Sequence, residues 1–271
     1  VLGVTITDID DTAPVFTSSA SFSAAENQTS IGTLTATDSD TDDSLITFIV
    51  SGSEISITSD GVLTFVDAPD YETKTSYSAT VTASDGTNST TQDITITITD
   101  TDDTAPVFTS SASFSAAENQ TSIGTVTATD VDTDNASITF SISGSELSIT
   151  AGGVLTFASA PDYETKSSYS ATVTASDGTN SSTQDITVTV TNVNDNSPVF
   201  TSGAAFSVVE NQTGIGTITA TDDDGDTLSF SLSGTDASSM SINSSSGVLV
   251  FDSAPDYETK TSYSATVTAS D

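Results

Sequence analysis

One phrase set recurs along this chain at a fixed interval, and that repetition limits the fold more than any other feature. Ala-Glu-Asn-Gln-Thr begins at Ala25 and again at Ala117, and Val209-Glu210-Asn211-Gln212-Thr213 is its third copy. Asp-Tyr-Glu stands at Asp70, Asp162 and Asp256. Asp-Thr-Ala-Pro-Val-Phe starts at Asp11 and Asp103, and the third version reads Asp195-Asn196-Ser197-Pro198-Val199-Phe200. The spacing is 92 residues, except that the third copy gains two residues before Asp256. A period of that size makes a tandem array of three small domains, each able to bury a modest core of its own. The expected division is 1–11 as the last strand and linker of a preceding repeat, then repeats at 12–103, 104–195 and 196–271, the last without its final strand.

Within one period the apolar residues alternate with Ser and Thr, and helical spacing is absent. Tyr77, Ala79, Val81 and Ala83 form one such series; Ile94, Ile96 and Ile98 form another. β-Branched Thr at outward positions suits a pleated backbone. In the first repeat this predicts strands at 15–25, 31–37, 45–51, 54–58, 62–66, 75–84 and 92–99. Ser59-Asp60-Gly61 marks a hairpin between the fourth and fifth. Seven short strands in about 90 residues make an all-β, Greek-key, immunoglobulin-like sandwich, three of them end to end. Pro14, Pro106 and Pro198 stiffen the entry to each repeat and discourage stray edge pairing. Phe16, Phe48, Phe65 and Tyr77 read as sandwich core, and Lys74, Lys166 and Lys260 as local charge partners.

The charge balance is extreme: 38 acids against 3 Lys and Arg, a formal net charge of −35. Such a surface repels nucleic acid and anionic lipid, so neither nucleic acid nor direct membrane contact is expected. No apolar stretch approaches the length of a membrane span. The charged fraction is only 15%, which together with the alternation argues against a disordered acidic tail. There is no Cys and no His, so zinc or copper chemistry is not expected, and a carboxylate-only donor set favours Ca²⁺ or Mg²⁺. Small extracellular domains without disulfides need another staple, and metal is the usual one. The same composition leaves no candidate catalytic residue, and no enzyme activity is expected.

Where two sandwiches meet end to end, three acidic clusters converge. For the second junction these are Glu118, Asp162 and Glu164 from above, Asn192 to Asn196 from the connection, and Asp222, Asp224 and Asp271 from below. Bare, they would repel; Ca²⁺, which takes six to eight oxygens in flexible geometry, absorbs that repulsion better than octahedral Mg²⁺. A solvating, halophilic surface is the alternative, but acids spread for solvation need not recur at fixed positions. The runs Asp38-x-Asp-x-Asp and Asp222-x-Asp-Gly-Asp begin like EF-hand loops yet lack Gly at the sixth position with Glu at the twelfth. The Asn27, Asn119 and Asn211 sequons overlap the Glu-Asn phrase and read as incidental to glycosylation.

These motifs carry a resemblance to cadherin repeats. Asn192-Val-Asn-Asp-Asn-Ser-Pro-Val-Phe resembles the Asp-x-Asn-Asp-Asn-x-Pro-x-Phe linker, Ala/Val-Glu-Asn the Pro-Glu-Asn motif, and Asp-Tyr-Glu the Asp-Arg-Glu motif. Ala-Thr-Asp-x-Asp resembles Asp-Ala-Asp, and Ser/Ala-Ser-Asp-Gly the late Asp-x-Gly. The five motifs keep their order in each repeat and span the chain. The resemblance implies about three Ca²⁺ per complete junction. At the first, Glu26, Asp70, Glu72 and Asp103, with the Thr101 carbonyl and Asp132, would hold the upper pair of ions. Asp102, Asp130, Asp132 and Asp177, with the carbonyls of Thr104 and Asn135, would hold the third. At the second, Glu118, Asp162, Glu164, Val193, Asp195 and Asp224 take the upper roles, and Asn194, Asn196, Asp222, Asp224 and Asp271 the lower. Asp10, Thr12, Asp38, Asp40, Asp43 and Asp85 form an N-terminal half junction; Glu210, Asp256 and Glu258 form a C-terminal one.

The near-identical repeats, Thr/Ser/Asp-rich composition and lack of Cys look most like bacterial cadherin-like domains of large repetitive adhesins or extracellular fibres. The implied function is a calcium-rigidified extracellular or cell-surface stalk serving adhesion or matrix assembly, its partners being further repeats or copies of itself. A glycan- or protein-recognition module using exposed loops is the other reading; it predicts loops that diverge among copies, whereas these differ little. No Trp stands near a first strand, unlike strand-exchanging vertebrate cadherins. Val1 to Thr7 aligns with Asp93 to Thr99, and Asp271 aligns with Asp85. Two readings of these ends stand open: a window in a long array, or a fibre in which each N-terminal strand completes a preceding chain's last domain.

Overall fold

The structure, a computed structural model, describes residues 2–7 and 9–271. In the first repeat the strands are β1 Val15–Phe16, β2 Ser21–Ala25, β3 Ser30–Thr33, β4 Ala36–Thr37, β5 Thr47–Val50, β6 Ile55–Ile57, β7 Val62–Phe65, β8 Ser76–Ser84 and β9 Ser89–Thr99. The second repeat has β10 Val107–Phe108, β11 Ser113–Ala117, β12 Ser122–Thr125, β13 Ala128–Thr129, β14 Thr139–Ile142, β15 Leu147–Ile149, β16 Val154–Phe157, β17 Ser168–Ser176 and β18 Ser181–Thr191. The third has β19 Val199–Phe200, β20 Gly214–Thr217, β21 Ala220–Thr221, β22 Ser229–Ser233, β23 Met240–Ile242, β24 Val248–Phe251 and β25 Thr266–Ser270. No described helix is long and apolar enough to cross a membrane.

Two compact units are distinguished. The first runs to Thr109 and adds Thr127–Thr139 and Thr174–Ser182; the second holds Ser110–Val126, Phe140–Val173 and Thr183–Asp271. In the first unit a four-stranded sheet, β2-β9-β8-β5, faces a three-stranded one, β3-β7-β6. β9 buries every second residue from Ile94 onward, so Ile94, Ile96 and Ile98 meet Val81, Leu63 and Leu34 in one core. Each fully buried aliphatic contributes on the order of 1.5–3 kcal/mol of transfer free energy. Phe65 and Tyr77 pack with ring centroids 4.9 Å apart.

The expected strands at 15–25 and 31–37 are each broken in two. β1 pairs antiparallel with β4, while β2 pairs in parallel with β9 and β3 pairs with β7. Each run therefore crosses between pairing partners midway, which alternation of side chains does not report. The hairpin expected at Ser59-Asp60-Gly61 joins β6 to β7. Gly61 sits at φ +82, and a Cβ there would lie 2.2 Å from the Leu34 carbonyl oxygen, so only glycine fits.

In the second unit β11 pairs in parallel with β18, β12-β16-β15 repeats the three-stranded sheet, and β20-β24-β23 repeats it again. On the other face of the third repeat β22 pairs with β25 among the described residues. Residues 203–210, the counterpart of β2, form no strand. At the opposite end the expected strand at 1–7 is also not formed in its described part: residues 2–7 are unpaired coil. A strand needs a neighbour to satisfy its amides, and among the described residues this segment pairs with no strand; Val1 and Asp8 lie outside the described residues.

Candidate metal centres

Glu26 and Glu118 are the only buried acids among the described residues, at 4% and 3% exposure. β2 and β11 end just before them, and Asn27 and Asn119, at φ 60 and 61, turn the chain there. Glu118 accepts the Tyr163 amide on Oε2 and the Val193 amide on Oε1, both at 2.7 Å. Glu26 does the same with Tyr71 at 2.7 Å and Thr101 at 2.8 Å. A single carboxylate thereby ties the Asp-Tyr-Glu turn to the linker. Asn27 and Asn119 donate their side-chain amides to Asp103 and Asp195, which fixes the linker acids in turn. Glu210 accepts only the Tyr257 amide, at 3.0 Å, among the described residues.

Around these glutamates the first unit gathers Glu26, Asp70 and Glu72, and also Glu72, Asp103 and Asp132, each group with oxygens within 4.8 Å of one another. The second unit gathers Glu118, Glu164, Asp195 and Asp224 in the same way. Asp10, Asp38 and Asp85 form a further group, as do Glu210, Asp256 and Glu258. Asp132 Oδ2 accepts the Asp103 amide (3.1 Å), the Thr104 amide (2.8 Å) and the Thr104 hydroxyl (2.6 Å). Asp40 repeats this with Asp11 and Thr12. Asp224 repeats it with the Asp195 and Asn196 amides, at 3.0 and 2.7 Å.

Lower in the first junction, Asp130 Oδ1 accepts the amides of Asp132 and Thr133, and the Asn135 side chain accepts the Asp130 amide at 2.8 Å. The Asn135 carbonyl, named above as a ligand, receives the Ile138 amide at 3.4 Å, and that of Asp43 the Ile46 amide at 3.3 Å; each keeps a second lone pair. Asn180 bridges Asp177 and Asp102: its backbone amide donates to Asp177 Oδ1 at 2.6 Å, and its side chain to Asp102 Oδ1 at 3.2 Å. Asn88 does the same between Asp85 and Asp10. In the second junction Asn196 donates its side-chain amide to Asp224, Asp195 and Glu164. Asp222 Oδ1 accepts the Asp224 amide at 3.0 Å, while Asn194 and Asp271 stand exposed.

The electrostatics follow from this crowding. Glu72 is pushed up to about 7, mainly because water is stripped from its carboxyl, with a hydrogen bond to Asp132 and the charge of Glu26 adding to it. Glu164 and Asp100 are raised by the same desolvation, reinforced by Glu118 and Asp224 in one case and by Asp132 and Glu26 in the other. Asp132 is held low, chiefly by the Thr104 hydroxyl and amide. Asp224 is lowered in spite of desolvation, through hydrogen bonds from Asn196 and Asp195. Thr165 and Thr259 lower Asp162 and Asp256, and Thr12 lowers Asp40.

Among the described residues six carboxylate oxygens are buried without a hydrogen-bond partner: Asp38 Oδ2, Asp85 Oδ2, Asp130 Oδ2, Asp132 Oδ1, Asp177 Oδ2 and Asp222 Oδ2. Orphaned buried oxygens are costly. In each case the sister oxygen is spent on local N–H or O–H groups, which leaves the orphan open to an ion. A hard, oxygen-seeking dication of the Ca²⁺ or Mg²⁺ kind fits this all-oxygen donor set. The lysines take no part. Lys74 and Lys166 pair with Glu54 and Glu146 at 2.6 and 2.5 Å, Lys260 pairs with Asp236, and each caps a tyrosine ring. The acids reached by Asn88, Asn180, Asn27 and Asn119 were read from the sequence, but these orienting amides were not. The recurrence of Asp-Gly-Thr-Asn at Asp85 and Asp177 was the available signal.

Known proteins resemble this chain in sequence and in fold. Residues 111–191 match the Cadherin domain model and residues 10–99 a Bacterial Ig domain model. The Drosophila melanogaster protocadherin-like wing polarity protein stan is 32% identical over 230 residues, 73% of this chain and 6% of that protein. Mouse protocadherin Fat 4 is 36% identical over 142 residues, 47% of this chain and 3% of that protein. The chain thus spans under a tenth of the relatives it matches. Among solved structures, mouse cadherin-23 EC22-24 superposes with a TM-score of 0.75 at 24% identity, covering 96% of this chain and 93% of the other. The protocadherin γB4 extracellular domain gives 0.72 at 27%, covering 94% and 46%.

Proposed function

We propose that this chain, a tandem array of cadherin-like β-sandwich repeats of the extracellular kind typical of adhesion proteins, is a calcium-rigidified segment of an extracellular stalk or fibre, serving cell-surface adhesion or matrix assembly. Ca²⁺ at the junctions would fix one repeat against the next. The observation that carries the reading is the set of orphaned carboxylate oxygens, which fall on aspartates named from the motifs. At the first junction Asp130, Asp132 and Asp177 would hold the lower ion, and Glu26, Glu72 and Asp103 the upper ones. When bound, calcium supplies charge neutralisation and a crosslink; the protein's part is to aim the oxygens, which Glu26, Thr104 and Asn180 do through hydrogen bonds. Extracellular modules bind Ca²⁺ with Kd of about 10⁻⁴–10⁻³ M, so the junction would fill at roughly millimolar calcium.

The finer placement is a bacterial surface. It is supported by the near-identity of the repeats and by the match of residues 10–99 to a Bacterial Ig domain, while the relatives named above are animal proteins. The experiment is small-angle scattering with thermal melts, in millimolar calcium and then in chelator. Stiffness and melting temperature should both drop on chelation; if neither changes, the stalk mechanism is wrong.

A further inference from the structure

The two complete linkers match in length but not in chemistry. The first reads Asp100-Thr101-Asp102-Asp103-Thr104 and the second Asn192-Val193-Asn194-Asp195-Asn196. Asn192 and Asn194 stand where the first linker has carboxylates, and Asn196 where it has the Thr104 hydroxyl. Asp195 is the one acid left in the second linker. Each of the three exchanges brings in an NH₂ group, which supplies two hydrogen-bond donors and no charge.

The hydrogen bonds show where those donors go. At the first junction the Thr104 amide and hydroxyl both bond to Asp132 Oδ2, at 2.8 and 2.6 Å, and Asp132 Oδ1 is one of the orphaned oxygens. At the second, the Asn196 backbone amide bonds to Asp224 Oδ2 at 2.7 Å, and its side-chain NH₂ to Asp224 Oδ1 at 3.2 Å. Both oxygens of Asp224 are therefore occupied. The same NH₂ reaches Asp195 Oδ1 at 3.0 Å and Glu164 Oε2 at 3.4 Å, and Asn192 bonds to the Asp224 carbonyl at 3.0 Å. Glu164, Asp195 and Asp224 belong with Glu118 to one group of acids whose oxygens lie within 4.8 Å of one another. An NH₂ that touches three of four crowded carboxylates does weakly what a bound cation does strongly: it places positive charge between them.

We infer that the Asn196 side chain is a built-in stand-in for calcium at the second junction, holding the acids together when calcium is scarce and competing with the ion when it is present. At the first junction the Thr104 hydroxyl gives its single hydrogen to Asp132 Oδ2, which leaves Oδ1 to the ion. The two junctions then differ in two linked ways. The first, with more carboxylates and no amide to displace from Asp132, binds calcium tightly and suffers more repulsion when bare. The second binds it weakly and loses less without it. As external calcium falls, the second junction empties first and loosens least. That calcium occupies the junctions at all rests on the function proposed above.

Exchanging the two linker residues in the 271-residue chain tests the inference, since each side chain is already accommodated at the other's position. Calorimetric titration of the unaltered chain with calcium chloride should resolve two classes of site about tenfold apart in Kd. Asn196→Thr should tighten the weaker class by about tenfold, and Thr104→Asn should weaken the tighter class by a similar factor. In chelator the directions reverse. There Asn196→Thr should lower the melting transition of the second unit by roughly 5 °C, and Thr104→Asn should raise that of the first by about as much. If calcium binds but the exchanges move neither quantity, or move affinity and chelator melting in the same direction, the inference is overturned and the calcium reading stands. An unaltered chain that takes up no calcium at millimolar concentration overturns the proposed function, and this inference with it.

Discussion

Replacing Glu118 by Gln separates the structural role of the buried glutamates from their charge. Glu118 holds two backbone amides, each at 2.7 Å. Gln keeps one oxygen, so one amide is still accepted, but by a neutral group, and the other faces an NH₂. A charge-assisted bond at about 1.5–3 kcal/mol becomes a neutral one at about 0.5–1.5 kcal/mol, and an unsatisfied buried amide costs about 1–3 kcal/mol. The loss is then roughly 2–4 kcal/mol. In a repeat of about 90 residues each kcal/mol moves Tm by roughly 4–8 °C, so the affected transition should fall on the order of 10–30 °C. Without calcium, relief of repulsion from Glu164 and Asp224 offsets part of this, so the drop should be smaller in chelator. Glu210 supplies the internal control: with one amide at 3.0 Å, Glu210→Gln can turn its oxygen to Tyr257 and its NH₂ to water, costing on the order of 1 kcal/mol or less. Scanning calorimetry that resolves the separate repeat transitions measures both. Equal shifts for Glu118→Gln and Glu210→Gln would refute the argument that the buried carboxylate fastens the linker to the Asp-Tyr-Glu turn.

Asp130→Asn should dissociate folding from metal binding. Its Oδ1 bonds to Asp132 and Thr133 survive in Asn, and only the orphaned Oδ2 is lost. The melting temperature in chelator should be unchanged or slightly raised, while calorimetric titration counts one ion fewer per chain at millimolar calcium. For pH, Glu72 is raised to about 7 from an unfolded value near 4.5. The calcium-free folded chain therefore binds more protons than the unfolded chain between those values, and its stability falls as pH rises through that window. Calcium must displace the same proton, so affinity at the first junction should rise from pH 6 to pH 8. Titrations near pH 7 in buffers of different ionisation enthalpy should show proton release. Leu63→Ala, at a fully buried position, should cost about 3–5 kcal/mol. Val62→Ala next to it, on the solvent face of the same strand, should cost less than about 1 kcal/mol, as urea melts would show.

The parts of this molecule that were legible in its sequence are those fixed by period. Alternation at Ile94, Ile96 and Ile98 reports a strand with one buried face whatever it pairs with, and the turn at Gly61 reports a position where a Cβ would strike a carbonyl. Alternation carries no information on partners, which is why 15–25 and 31–37 read as single strands although each divides between β-pairings. The acids were legible for another reason: their positions recur while the surface around them is Ser and Thr. Their orientation was not. Whether Asp132 offers one oxygen or two depends on Thr104, whose hydroxyl and amide occupy Oδ2 and leave Oδ1 alone.

The same distinction explains why Asn carries so much of the site. An acid ring needs donors that take up one oxygen of each carboxylate, so that the repulsion among the remaining oxygens falls on a space the size of an ion. A lysine would satisfy the same oxygens but would also neutralise them, weakening the pull on a dication. Asn27, Asn88, Asn119 and Asn180 donate without neutralising, and the three lysines are held away against Glu54, Glu146 and Asp236. Asn180→Ala should therefore leave every acid in place yet loosen Asp102 and Asp177 together, lowering calcium affinity at the lower site of the first junction by about tenfold. Asn180→Lys should lower it further still, although a lysine can reach the same oxygens. Titration calorimetry on the two variants decides the point: if Asn180→Lys binds calcium as well as the unaltered chain, orientation without neutralisation is not what these amides provide.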